Sequence, residues 1–229
     1  MNVVDDKAIV TEYFNATGFD RWRRIYGNGE VNKVQQDIRT GHQQTVDTVL
    51  SWLKADDNLN QITICDAGCG VGSLSIPLAQ AGAKVFSSDI SKKMVGEAQQ
   101  RAEATLGQKN NPTFAVKDLE ALTGKYHTVI CLDVLIHYPQ AKAAQMISHL
   151  ASLAASRLIL SFAPKTLGLT VLKKVGDFFP GPSKATRAYQ HREADIIEIL
   201  HNLGFTPNGN GMTSTSFYYS RLIEATRKS

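Results

Sequence analysis

Two stretches of this 229-residue chain carry residue types at spacings that could do chemistry. In the first, the apolar run Ile62-Thr63-Ile64-Cys65 feeds Asp66-Ala67-Gly68-Cys69-Gly70-Val71-Gly72, and helical spacing begins near Ser73. That is a strand, a sharp turn and a helix start. The glycines allow the turn and let backbone N–H groups approach a ligand that side chains would hold off. A second acid, Asp89, closes the next apolar run, Ala83 to Ser88, about twenty residues beyond the turn, where a carboxylate can accept from ribose hydroxyls. A Gly-rich turn without a ligand would need neither acid, so an adenosine-containing ligand is implied. The second stretch is Phe19-Asp20-Arg21-Trp22-Arg23-Arg24-Ile25-Tyr26-Gly27, in which Phe19, Trp22 and Tyr26 share a helical face. Such a stripe can simply pack one helix on another. Outside a nucleotide-binding core it is also suited to cover a large flat ligand, and the flanking glycines would let it move as a lid.

The dinucleotide fingerprint has a third glycine three residues after the second, where a helix start holds pyrophosphate; this chain has Ser73 there. The D-x-G-x-G-x-G pattern it does have resembles the first motif of class I S-adenosylmethionine methyltransferases. That resemblance implies a glycine turn bordering the methionine moiety and Asp89 on the ribose, with a nicotinamide enzyme as the alternative.

Composition sets outer limits. The length suits one domain with appended segments, and 43% hydrophobic residues supply an ordinary core. No run approaches eighteen apolar residues, so no membrane span is expected. Met1 to Asp6 is acidic and lacks an apolar stretch, which is not a secretory signal; the cytoplasm is the expected compartment. Cys65, Cys69 and Cys131 fall in or beside expected strands without a CxxC pair, reading as reduced thiols and not a zinc site. The net charge of +4 concentrates in 164–192, where Lys165, Lys173, Lys174, Lys184, Arg187 and Arg192 face only Asp177. A solvated basic face and a site for an acidic ligand, an anionic membrane or nucleic acid are both open.

Behind these residues stands an alternation of strands and helices. Helical stripes are expected in 1–20 and 31–54, a helix after the glycine turn to Gly82, another capped by Ser91, and further ones at 140–154 and 192–203. Strands are expected at Thr113 to Val116, Thr128 to Asp133, Leu158 to Phe162, 205–211 and 216–225. This predicts an α/β, doubly wound, mostly parallel seven-stranded sheet that binds ligands beyond the carboxyl ends of its strands. Four segments are expected: an N-terminal helical arm or lid (1–45), a cofactor-binding core (46–163), a basic but apolar cap after strand five (164–191), and a closing helix and strand pair (192–229).

Methyl transfer is an in-line displacement, so the site must align a nucleophile with the sulfonium methyl and exclude water. The Asn/Asp-Pro-Pro-Tyr pattern that holds amines of bases or proteins is absent beyond strand four, and no interleaved basic-aromatic groove is visible, so no nucleic acid partner is expected. Tyr13-Phe14-Asn15, Gly18-Phe19-Asp20-Arg21-Trp22 and Ile25-Tyr26-Gly27, with the glycine turn and Leu132-Asp133-Val134-Leu135-Ile136-His137-Tyr138-Pro139, resemble the magnesium-protoporphyrin IX O-methyltransferases of chlorophyll biosynthesis over nearly the full length.

That resemblance implies esterification of one propionate of Mg-protoporphyrin IX, with S-adenosylhomocysteine as the other product and magnesium present only as part of the substrate. It implies cofactor contacts at Asp66, Gly68, Cys69, Gly70 and Gly72, at Asp89 and Ile90, at Asp118 and Leu119 beside the adenine, and at Asp133. A propionate with a pKa of about 4.3 is ionised at neutral pH, so no strong base is needed. Tyr26 and His137 are the expected catalytic pair, orienting the carboxylate or ligating the substrate's magnesium. Trp22 and the apolar part of the cap would cover the disc, and Lys165, Lys173 and Lys174 would take the second propionate. The cap is also the expected contact for the porphyrin-binding subunit of magnesium chelatase or for the surface of a photosynthetic membrane. The alternatives are an O-methyltransferase for another small apolar acceptor, such as a quinone precursor, and a binding protein that turns nothing over.

Overall fold

The computed structural model describes residues 6–55, 59–107, 111–165 and 188–228. A seven-stranded sheet has the spatial order β3-β2-β1-β4-β5-β7-β6, with β1 Thr63–Ala67, β2 Lys84–Asp89, β3 Thr113–Val116, β4 Tyr126–Cys131, β5 Ala154–Phe162, β6 Phe205–Ser214 and β7 Tyr219–Arg227. The pairs among β1 to β5 are parallel; β7 runs antiparallel to β5 and to β6. The doubly wound sheet expected from the alternation is therefore present.

The helices are α1 Asp6–Asn15, α2 Thr17–Ile25, α3 Lys33–Lys54, α4 Ser75–Gln80, α5 Lys92–Leu106, α6 Gln140–Leu153 and α7 Glu193–Asn202. Two of the helix starts are capped by side chains. Asn32 and Gln35 close a reciprocal capping box at the start of α3, and Ser91 accepts from the Met94 N–H at the start of α5.

Each central strand feeds two cores by its period of two. On one face Cys65, Ala67, Val129, Cys131, Leu158, Leu160 and Phe162 pack with α6 and α7; on the other Ile64, Ile130, Leu132 and Ile159 pack with Val46, Val49 and Leu53 of α3. Ile130 is fully buried, and truncating it to Ala would cost about 2–5 kcal/mol. Two-sided burial holds the carboxyl ends of β1 and β4 still where the strand order reverses, so the crevice between them is a rigid place for a ligand.

Candidate active site

The glycine turn is held to β2 by its own backbone. The N–H groups of Gly68 and Cys69 both donate to the carbonyl of Ser88, at 2.8 and 2.9 Å, and the Gly70 N–H donates to Asp89 Oδ2 at 3.0 Å. The hydrogens of these three amides are taken up by the neighbouring strand, while the residues themselves stand on the cavity wall. At Gly68, φ is +84° and a Cβ would stand 2.2 Å from a Val134 methyl, so glycine is required. Gly72 lies off the cavity wall: Ile76 and Ala98 close over it, and it serves the packing of α4 on α5.

A cavity of about 310 Å³ opens beyond these strand ends, with Asp66, Gly68, Cys69, Gly70, Asp89, Ile90, Asp118 and Leu119 on its wall. Asp89 is oriented by the Ser91 N–H at 2.8 Å as well as by Gly70, and burial raises its carboxyl above the ordinary aspartate range despite those bonds. Burial pushes Asp66 up to about 6 against the opposing bond from the Ser75 hydroxyl. Burial also pushes the Cys69 thiol up, so it is no nucleophile. Asp118 starts a 3-10 turn by accepting from the Glu120 N–H and pairs with Lys7 of α1.

The opposite wall is aromatic. Phe14, Trp22, Tyr26, His42, His137 and Tyr218 line it, with ring centroids 5.3 Å apart for Trp22–Tyr26 and Phe14–His137 and 4.1 Å for Tyr26–His42. Phe19 does not join this wall; its ring lies against the Arg23 guanidinium and the Lys93 ammonium, 5.7 and 5.5 Å from the centroid. Two guanidinium groups fix the end of α2. Arg39 donates to the carbonyls of Arg24, Ile25 and Gly29 at 2.7–2.9 Å, and Arg101 to those of Arg23 and Tyr26. They satisfy carbonyls that a helix end leaves without partners.

Between the two walls lies Asp133. Its φ of +58° is left-handed, a strained conformation for a non-glycine residue. Its carboxylate accepts from Tyr218 Oη (2.8 and 3.1 Å), from Ser161 Oγ (3.0 Å) and from His42 Nδ1 (3.0 Å). Burial alone would raise it, yet the bonds and charge of His42, with Tyr218 and Ser161, hold it below the usual range. His137 closes a 3-10 turn at Leu135–His137; burial drives it down to about 4, which makes it a neutral imidazole, and its Nδ1 is buried without a partner.

Of the remaining expected substrate residues, Lys165 is exposed and off the cavity wall, while Lys173 and Lys174, with most of the cap, lie outside the described residues. Spacing rules passed over His42 and Tyr218. His42 carried one signal, a polar residue between Ile38 and Val46 on the buried stripe of α3. Tyr218 carried none, since only the β6–β7 hairpin brings it to Asp133.

Residues 131–227 match the family described as magnesium-protoporphyrin IX methyltransferase C-terminus, and 64–156 match a general methyltransferase domain. The magnesium-protoporphyrin O-methyltransferase of Synechocystis is 71% identical over 98% of this chain and 97% of its own. The chloroplastic magnesium protoporphyrin IX methyltransferase of Arabidopsis thaliana is 60% identical over 96% of this chain and 71% of its own. The crystal structure of the Synechocystis enzyme with bound SAH superposes with a TM-score of 0.91 at 69% identity, covering 97% of this chain and 100% of the other.

Proposed function

The chain belongs to the magnesium-protoporphyrin IX O-methyltransferase family, and from that premise we propose how its cavity works. The enzyme takes S-adenosylmethionine as cofactor and methylates Mg-protoporphyrin IX, a step of chlorophyll biosynthesis. The cofactor's ribose hydroxyls donate to Asp89, its adenine amine to Asp118, and its ammonium faces Asp66.

A propionate oxygen attacks the methyl carbon in line. The new O–CH3 bond forms as the S–CH3 bond breaks, and the electron pair of that bond stays on sulfur. An anion and a sulfonium become a neutral ester and a neutral thioether, so the transition state carries less charge than the reactants. A wall that excludes water therefore favours it, because water would stabilise the charged ground state more. The aromatic side supplies such a wall. Burial, with Asp133 nearby, raises the Tyr26 phenol well above its ordinary value, so it stays a proton donor. The neutral imidazole of His137 donates in the same way. The two orient the carboxylate, and neither has to remove a proton.

The observation that carries this reading is the division of one cavity into an acid-lined side fit for a cationic nucleoside and an aromatic side fit for a flat apolar disc. Contact with the porphyrin-binding subunit of magnesium chelatase, or with a membrane surface, would fall to the cap. Among the described residues no helix is long and apolar enough to cross a membrane. The test is incubation with S-adenosylmethionine and a panel of porphyrins with and without magnesium, with the ester followed by chromatography. Ester from Mg-protoporphyrin IX is expected; ester from a quinone precursor and none from the porphyrin would overturn the assignment.

A further inference from the structure

We propose that His42, locked by Asp133, is a positioning residue for methyl transfer that acts through the Tyr26 hydroxyl; this rests on the porphyrin methylation proposed above. The starting observation is the left-handed backbone of Asp133. A non-glycine residue keeps such strain only where its surroundings impose it, and functional sites are where this occurs. Here the surroundings are visible. Ser161 Oγ accepts from the Asp133 N–H at 2.7 Å and donates back to its carboxylate, which closes a ring that sets both backbone and side chain.

What the carboxylate then does is hold one imidazole. Asp133 remains ionised and can only accept, so Nδ1 of His42 must carry the hydrogen of their 3.0 Å bond. Tyr218 Oη bonds the same carboxylate, at 2.8 Å to the oxygen that His42 uses and 3.1 Å to the other, and Gly41 makes room for the Tyr218 ring, since a Cβ there would come within 2.4 Å of it. Nothing among the described residues bonds the buried Nε2 of His42. The ring therefore gains its hydrogen bonding at one edge only, and its face is left to pack. Tyr26 is on that face, 4.1 Å away and tilted by 32°. The backbone of Tyr26 is already fixed by Arg39 and Arg101, so the His42 ring decides the remaining freedom, the direction in which the phenol points. A misplacement of about 1 Å at a reacting group can cost a hundredfold.

The test is a double-mutant cycle on the full chain with Mg-protoporphyrin IX. His42→Phe keeps a ring but removes the bond to Asp133; His42→Asn keeps a donor near Nδ1 but removes the ring. Each is expected to lower kcat about tenfold or more, with KM for the porphyrin and the Kd for S-adenosylhomocysteine within about twofold of wild type. In a Tyr26→Phe background the same changes should cost less than about twofold further, because the group they act through is gone. Costs that multiply in full, or a loss that appears in KM and not in kcat, would overturn the proposal. So would both His42 variants losing S-adenosylhomocysteine while Tyr26→Phe still binds it, which would give His42 a folding role. If one variant alone fails to fold, the other carries the cycle. Wild type that makes no ester would instead remove the methylation reading itself.

Discussion

The two sides of the cavity are built by different means. The acid-lined side is made by backbone within a short span: Gly68, Cys69 and Gly70 bond to Ser88 and Asp89 across adjacent parallel strands. The aromatic side is made by side chains from α1, α2, α3, the turn after β4 and the β6–β7 hairpin. The first is a contiguous pattern that any chain with a β-turn-α start can carry, and it can hold the same nucleoside before many acceptors. The second has to match one acceptor, and its parts come together only in the finished fold. The difference teaches that cofactor affinity and rate should be separable by mutation.

The most forceful test of that separation is Tyr26→Phe, which removes one hydroxyl from the aromatic side. kcat should fall about a hundredfold or more, while calorimetry with S-adenosylhomocysteine stays at the wild-type Kd. Equal losses in both would mean that the sides are one unit. The converse is Asp89→Ala: S-adenosylhomocysteine should bind about ten- to a hundredfold more weakly, with kcat at saturating cofactor kept within a few-fold.

A smaller effect is expected for Gly41→Ala, where the new methyl would displace the Tyr218 ring and loosen Asp133. kcat should drop several-fold and Tm by a few degrees, as for a loss of roughly 1 kcal/mol. An unchanged rate would show that the Asp133 hub is dispensable.

The gentlest probe is pH. Asp66, raised to about 6 by burial, ionises as pH climbs through that value, so S-adenosylhomocysteine should bind more tightly from pH 5 to pH 7, and Asp66→Asn should flatten that limb. The sign for stability is opposite. The folded ligand-free chain holds this proton more firmly than the unfolded one, so the contribution of Asp66 to stability declines as pH rises from the ordinary 3.8 to about 6 and is level above that. His137, driven down to about 4, should add no limb between pH 6 and pH 8.

Legibility in the sequence followed the same division. Strand three is legible to the residue as Thr113–Val116, and the Ser91 cap is visible because capping is a local bond between a side chain and a backbone three residues on. The glycine turn is legible as a site, but the destination of its amides is not, since Ser88 lies on another strand. Helical spacing puts Phe19 on one face with Trp22 and Tyr26, whereas the fold turns its ring to Arg23 and to Lys93 of α5, a contact across helices that spacing does not encode.

By itself the sequence determined the periodicities, the caps, the left-handed glycines and hence an α/β sheet with a nucleoside site at its switch point, because each of these is fixed by forces that act within a few residues. Tertiary structure alone decided that His42 and Tyr218 meet at Asp133 and that Tyr26 lies against the His42 ring. The two contacts at Asp133 span 85 and 91 residues, and a pairing at such separation is set by how helices and hairpins dock on the sheet, which no local spacing encodes.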